Sequence, residues 1–68
     1  EASHVSLIIY DITGREIVKL VDTNKSLGYH RVIWDGKDKR GNIVSSGVYL
    51  YRIEMGGFTQ TKKMVLVR

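Results

Sequence analysis

The sequence contains no cysteine and no proline among its 68 residues. The lack of cysteine excludes disulfide bonds, thiolate metal sites and cysteine catalysis. The lack of proline excludes proline-rich linkers. No hydrophobic run approaches the ~20 residues of a membrane-spanning helix, so we expect no membrane insertion. A chain this short predicts a single domain, residues 1–68, with little volume for a substrate pocket of several hundred cubic ångströms.

The start of the chain also lacks features of a complete protein. It begins Glu1-Ala2-Ser3, with neither an initiator methionine nor a signal peptide. We therefore interpret the sequence as an excised fragment of a larger protein.

The chain carries a mildly basic net charge without a dense cluster of basic residues. Eleven lysines and arginines against seven acidic residues give a net charge of +4. The basic residues are spread along the chain, whereas a nucleic-acid binder more often carries a basic stripe with interleaved aromatic residues. We expect no nucleic-acid partner, and assign these charges to solvated faces and protected strand edges.

Seven glycines divide the chain into short segments that are rich in β-branched and aromatic residues. Alternation of apolar and polar positions indicates strands. The predicted strands cover residues 5–10, 16–21, 29–34, 43–45, 48–54 and 58–68. Turns are predicted at Asp11–Arg15, where an aspartate and a glycine favour chain reversal, and at Gly56-Gly57. The pattern predicts an all-β domain, a small immunoglobulin-like antiparallel β-sandwich of six to seven strands or an open barrel.

Aromatic residues make up only 9% of the chain, and Trp34 is the only tryptophan. In so small a core we expect Trp34 to be a principal packing residue, together with Tyr49. A sugar-binding platform is the alternative for the aromatic side chains, but aromatic residues in half-buried strands usually serve packing. That platform would draw on Tyr10, Tyr29, Trp34, Tyr49, Tyr51 and Phe58.

No constellation of residues indicates catalysis, so we expect that the protein is not an enzyme and needs no cofactor. His4 lies near a chain end and His30 within a predicted strand, and neither stands at a recognisable nucleophile-motif spacing. Asp35, Asp38 and Asn42 share one loop, but the spacing does not fit a twelve-residue calcium loop, and the neighbouring basic residues oppose a cation. We expect the two aspartates to accept backbone N–H bonds instead.

Several segments, in this order and spacing, resemble a known superfamily. They are residues 9–17 (IYDITGREI), 28–36 (GYHRVIWDG), 46–53 (SGVYLYRI) and 63–68 (KMVLVR). The first resembles the opening hairpin of two related groups: the immunoglobulin-like domain of flagellar hook-capping proteins and the C-terminal sorting domain of the bacterial type IX secretion system. The resemblance covers residues 5–68, and its motifs do not separate the two groups.

The resemblance implies a non-catalytic module at the end of an exported protein, so we expect residues 1–68 to be the C-terminal fragment of a larger exported protein. The main hypothesis is a sorting domain that directs secretion or surface attachment, with a translocon or surface-attachment proteins as partners and an extracellular or cell-surface location reached through the periplasm. The candidate partner-binding residues carried over by position are Gly47, Val48, Tyr49, Lys63, Met64, Val65, Leu66, Val67 and Arg68. Lys62 is added to them because its positive charge can pair with acidic groups on a translocon.

Two alternatives stay open. The chain is a passive immunoglobulin-like spacer or accessory module of a secreted enzyme or surface protein, or it is a hook-cap-like assembly module that acts through protein contacts. Short strands without disulfide bonds also permit a strand-exchanged homo-oligomer.

Overall fold

A computed structural model describes residues 2–26 and 32–67. These residues form four strands: β1 (Ala2–Asp11), β2 (Glu16–Ser26), β3 (Gly47–Met55) and β4 (Phe58–Leu66). All neighbouring strands are antiparallel, and their order in the single sheet is β2-β1-β3-β4. The described part of the chain holds no helix with the length and apolar character needed to cross a membrane.

The turn between β1 and β2 is organised by the carboxylate of Asp11. Its Oδ1 accepts hydrogen bonds from the backbone N–H groups of Thr13 (2.9 Å) and Arg15 (3.0 Å), and from the Thr13 hydroxyl (2.5 Å). The N–H of Gly14 donates to the Asp11 carbonyl at 3.0 Å, and Gly14 has a φ of 91°. An L side chain rarely adopts this φ, so the glycine is required. The predicted turn is confirmed.

The number of strands differs from the prediction. Of the predicted strand 29–34, residues Tyr29 to Arg31 lie outside the described residues, and residues 32–34 belong to no strand. The predicted strand 43–45 is reduced to an isolated bridge between Lys37 and Ile43. The described residues therefore form one four-stranded sheet. The expected six to seven strands in two layers do not appear among them.

For the predicted strand 43–45, the reason lies in local hydrogen bonds of the segment 32–46, which we call the Trp34 loop. The indole N–H of Trp34 donates to the carbonyl of Lys37 at 2.9 Å. The N–H of Val44 donates to the Gly36 carbonyl at 3.0 Å. Backbone groups that are satisfied inside a loop do not pair in a sheet ladder. The tendency towards β structure in this loop is therefore overridden by its turn residues.

The core lies between the sheet and the Trp34 loop. Ile9 is only 2% exposed and contacts the buried Ile17 and Tyr49. Trp34 packs against the edge of this cluster, with its ring centroid 5.2 Å from that of Tyr49 and an interplanar angle of 72°. Tyr49 is the buried member of this pair, whereas Trp34 is half-buried. Trp34 therefore closes the core from one side and is not its centre.

Strand register assigns the alternate residues to two faces. Ile9 lies opposite Tyr51, and Tyr49 lies opposite Met64, so these residues share the face next to Trp34, which we call the inner face. The intervening residues share the outer face. There the guanidinium of Arg52 lies 5.4 Å from the centre of the Tyr10 ring, in a cation–π arrangement.

Candidate functional site

Pairing between β3 and β4 brings together the two segments that the sequence singled out for partner binding. The cross-strand pairs are Gly47 with Leu66, Val48 with Val65, and Tyr49 with Met64. The sequence predicted each segment but not their register, because residues almost twenty positions apart meet only once the hairpin has closed. Gly47 is the first residue of β3 and has a φ of 154°.

The inner-face members of this set belong to the core. Tyr49 is 8% exposed, and its hydroxyl donates a hydrogen bond to the carbonyl of Ser45 at 2.7 Å. Met64 and Leu66 pack against the same cluster. In the described structure these three side chains stabilise the domain.

The outer-face members are accessible. Val65 is 68% exposed and its cross-strand neighbour Val48 is 37% exposed, so the two valines form a small apolar pair in contact with solvent. Val67, beyond the end of β4, is 80% exposed. Isolated exposed valines are common, but a cross-strand pair at a sheet edge is a suitable contact for another protein. Arg68 lies outside the described residues.

Two lysines stand on opposite faces of β4. Lys62 lies opposite Tyr51, and Lys63 lies opposite Leu50. Both side chains are exposed, and no carboxylate of the described residues lies within ion-pair distance of either ammonium group. The strand Phe58–Leu66 contains no acidic residue. β4 therefore presents an uncompensated positive charge on each face.

The inner face also carries an open apolar groove of about 660 Å³. Leu7 and Ile53 line its floor, while Val32 and Trp34 line its side. This volume corrects the prediction that so small a domain leaves no room for a large pocket. The groove is open because the described residues form no second layer and cover only part of the inner face. Among the lining side chains Tyr51 is the only titratable one, so the groove does not gather acid–base groups.

The aspartates of the Trp34 loop accept hydrogen bonds from the backbone. Asp38 Oδ1 accepts from the N–H groups of Arg40 and Asn42, both at 2.9 Å, and Asp35 Oδ1 accepts from the N–H of Lys37 at 3.1 Å. This confirms the predicted backbone role of the two aspartates. Within residues 2–26 and 32–67, no group of three or more histidine or acidic residues is arranged to hold a metal ion.

The Trp34 loop also repeats the turn that follows β1. In both places an aspartate Oδ1 accepts from the backbone N–H groups two and four residues ahead, and a glycine three residues ahead donates to the aspartate carbonyl. The two turns cover residues 11–15 and 38–42. Both turns carry the pattern Asp-x-x-Gly, which is a signal visible in the sequence.

The Trp34 loop is attached to the sheet through this second turn. The N–H of Lys39 donates to the carbonyl of Ile17 on β2 at 3.1 Å. Ile17 is itself buried in the core cluster. The attachment therefore covers part of the outer edge of β2 and positions Trp34 over the inner face.

Titratable groups elsewhere form exposed pairs. His4 Nε2 lies 2.7 Å from Asp22 Oδ1, and both side chains are at least half exposed. No hydrogen bond among the described residues joins this pair to the neighbouring Ser6. His30 lies outside the described residues.

Two hydrogen bonds hold the pKa of the Asp11 carboxyl below its ordinary value. The bond from the Thr13 hydroxyl has the larger effect, and the bond from the Arg15 N–H comes next.

A comparison with protein-family models identifies the domain. The model of the FlgD Ig-like domain matches residues 1–57. The chain belongs to the FlgD Ig-like domain family. This match agrees with the hook-capping part of the resemblance in the sequence and does not extend to the type IX sorting domain. Searches of curated proteins and of solved structures returned no match.

The residues matched by the FlgD Ig-like family model include three of the four strands of the sheet. The match includes β1, β2, the Trp34 loop and β3, and it ends at Gly57 in the turn before β4. The strand with the exposed lysines and the exposed Val65 therefore lies beyond the matched residues. The family assignment describes the scaffold, whereas β4 has to be interpreted from its own geometry.

Proposed function

We propose that this domain is a non-catalytic protein-contact module of the hook-cap-like kind, which acts by binding other protein subunits during the assembly of an extracellular structure. The observation that carries the proposal is the FlgD Ig-like match over residues 1–57, which includes three of the four strands. The proposal places the parent protein outside the cytoplasm.

The surfaces of the domain support a contact role over a chemical one. The described residues that line the groove on the inner face are mostly apolar, and Tyr51 is the only titratable group among them. The outer face offers the exposed Val48–Val65 pair and the half-exposed Arg52 beside Glu54, with Arg52 Nε 3.4 Å from Glu54 Oε2. Apolar patches bordered by arginine are typical of protein interfaces.

A domain exchange tests this function. The immunoglobulin-like domain of a flagellar hook-capping protein is replaced by this chain in a strain that lacks the original protein, and hook length and motility are measured. We expect the chimaera to assemble hooks. A matched chimaera with an unrelated immunoglobulin-like domain of similar size should not do so. A chimaera that is folded and exported at the normal level but forms no hooks contradicts the proposal.

A second candidate function is the sorting role, in which the domain directs export or surface attachment of a cargo. It is favoured by one observation: β4, with Lys62 and Lys63 exposed, lies at a sheet edge and beyond the family match. In this role the partners are a secretion translocon or surface-attachment proteins.

Fusion of the chain to the C-terminus of a folded reporter tests the sorting role in a bacterium with a type IX system. We expect export of the fusion, and loss of export when residues 64–68 are deleted. Since Met64 and Leu66 also pack in the core, the deletion is compared with K62E/K63E, which leaves those core contacts in place. If both variants are exported normally, the sorting role is refuted.

A further inference from the structure

The outer edge of β4 is the most regular unpaired edge of the described sheet. β4 is the last strand in the order β2-β1-β3-β4, and none of the described residues lies beyond it as a further strand. Its nine residues pair with β3 from Met55–Phe58 to Gly47–Leu66 without a register shift. Such an edge presents a straight row of backbone donors and acceptors.

The opposite edge of the sheet is blunted. The pairing of β2 with β1 contains register shifts between Leu7 and Ile8 and between Ile9 and Tyr10. In addition, the carbonyl of Ile17 accepts a hydrogen bond from the Trp34 loop. Bulges and covering loops are devices that prevent strand addition. The contrast leaves β4 as the edge that can receive a further strand.

The hairpin geometry tells which groups of β4 point outwards. Met55 and Phe58 flank a two-residue turn and form the first pair of the ladder. In such a hairpin this first pair is hydrogen-bonded, and hydrogen-bonded and non-hydrogen-bonded pairs then alternate. The N–H and C=O groups of the non-bonded positions point away from β3. These outward positions are Thr59, Thr61, Lys63 and Val65.

Charge disfavours a second copy as the natural occupant of this edge. If two β4 strands paired antiparallel over their full length about a two-fold axis, Lys62 at the centre of Phe58–Leu66 would lie opposite its own copy. Like charges directly opposite each other destabilise a sheet. No acidic side chain in β4 offsets this repulsion.

From these observations we infer that the β4 edge binds an extended acidic segment of a partner protein as a fifth strand of the sheet. The backbone row provides the main-chain hydrogen bonds, as in other strand-addition complexes. Carboxylates on the two faces of the incoming strand pair with Lys62 and Lys63, and an apolar residue covers the exposed Val65. The inference rests on the proposed role as a protein-contact module and names the surface and the partner chemistry.

A peptide titration tests the inference on the ¹⁵N-labelled chain. The probe is the acetylated, amidated heptapeptide Val-Thr-Glu-Glu-Thr-Thr-Val, and the control peptide has lysines in place of the two glutamates. We expect the acidic peptide to slow amide hydrogen exchange at the four outward positions. The lysine peptide should bind at least about tenfold more weakly, because two favourable charge pairs become unfavourable. Raising the salt concentration should weaken binding of the acidic peptide.

Two variants separate the backbone and charge contributions. T61P removes one outward N–H, and a proline is tolerated where an edge N–H faces solvent. We expect it to abolish binding while the amide spectrum stays dispersed. K62E/K63E changes the net charge from +4 to 0 and should lower the affinity at least tenfold. K37E/K39E makes the same change of charge in the Trp34 loop and should leave the affinity within about twofold.

Three results would overturn the inference. They are the absence of spectral change at ~1 mM acidic peptide, protection that maps to the inner-face groove or to β2, and equal loss of affinity in K62E/K63E and K37E/K39E. If T61P does not fold, the lysine variants and the exchange map still decide the outcome. Hook assembly by the domain-exchange chimaera without peptide binding would refute this inference and leave the proposed function standing.

Discussion

The hydroxyl of Tyr49 offers the sharpest test of the core. The substitution Tyr49→Phe keeps the ring that packs 5.2 Å from Trp34 but removes the 2.7 Å hydrogen bond to the Ser45 carbonyl. The bond is partly buried, since Tyr49 is only 8% exposed while Ser45 is exposed. A hydrogen bond of this kind contributes about 1 kcal/mol net. We therefore expect the free energy of unfolding to fall by about 1 kcal/mol.

The size of the domain makes this loss easy to measure. An unfolding entropy of about 2.1 cal/mol/K per residue gives roughly 0.14 kcal/mol/K for 68 residues, so a loss of 1 kcal/mol lowers Tm by about 7 °C. Trp34 is the only tryptophan, and its contact with Tyr49 makes its fluorescence a direct reporter of the core. Urea titration of the wild type and of Y49F, followed at this indole, gives both free energies.

Tyr10→Phe is the matched control. The Tyr10 hydroxyl makes no hydrogen bond among the described residues, and the ring that Arg52 covers is retained in phenylalanine. We expect a change within about 0.5 kcal/mol. Equal stability of Y49F and Y10F would refute the assignment of the Tyr49–Ser45 bond as a core contact. An indole emission maximum that does not shift on unfolding would refute the packing of Trp34.

The remaining predictions concern acid sensitivity, backbone conformation and self-association. Because the pKa of Asp11 is lowered in the fold, ionised Asp11 stabilises the domain above the ordinary aspartate pKa, and this stabilisation is lost as the pH falls through the folded pKa. In Asp11→Asn the free energy of unfolding should therefore fall less steeply at acidic pH than in the wild type. An unchanged pH dependence would contradict this prediction. Gly14→Ala and Gly41→Ala, at φ values of 91° and 86°, should each cost about 1 kcal/mol in a urea titration. Gly57 has open space around it and no positive φ, so Gly57→Ala should change the free energy of unfolding by less than about 0.5 kcal/mol. Equal losses of stability at all three glycines would show that φ is not the cause. If strand exchange occurs, light scattering at millimolar concentration should detect a slowly forming dimer, and a strict monomer would exclude it.

The sequence predicted the features that depend on neighbouring residues. The turn at Asp11 and the hairpin at Gly56-Gly57 follow from side-chain-to-backbone bonds and from glycine conformation within five residues, and both are present. The buried state of Tyr49 was also predicted, because its alternation with Val48 indicated a core position. Local chemistry was sufficient in each case.

The features that the sequence did not predict have a different physical origin. The pairing of β1 with β3, in which Leu7 lies opposite Ile53, joins residues that are far apart in the sequence, and no local pattern specifies it. In the Trp34 loop the apolar alternation favoured strands, but the bonds of Trp34 and Asp38 satisfy backbone groups within the loop. The groove on the inner face could not be predicted either, because its volume depends on how much of the sheet the loop covers.

The geometry of β4 explains how one strand can serve both the fold and a partner. On the inner side Met64 and Leu66 pack against the cluster around Tyr49, so the strand is tied to the core. On the outer side Val65 and Lys63 face solvent, and the backbone edge is open among the described residues. Because side chains alternate along a strand, substitutions at the outward positions can change partner preference without removing core contacts. Partner specificity in this domain is therefore best sought in the strand that lies beyond the family match.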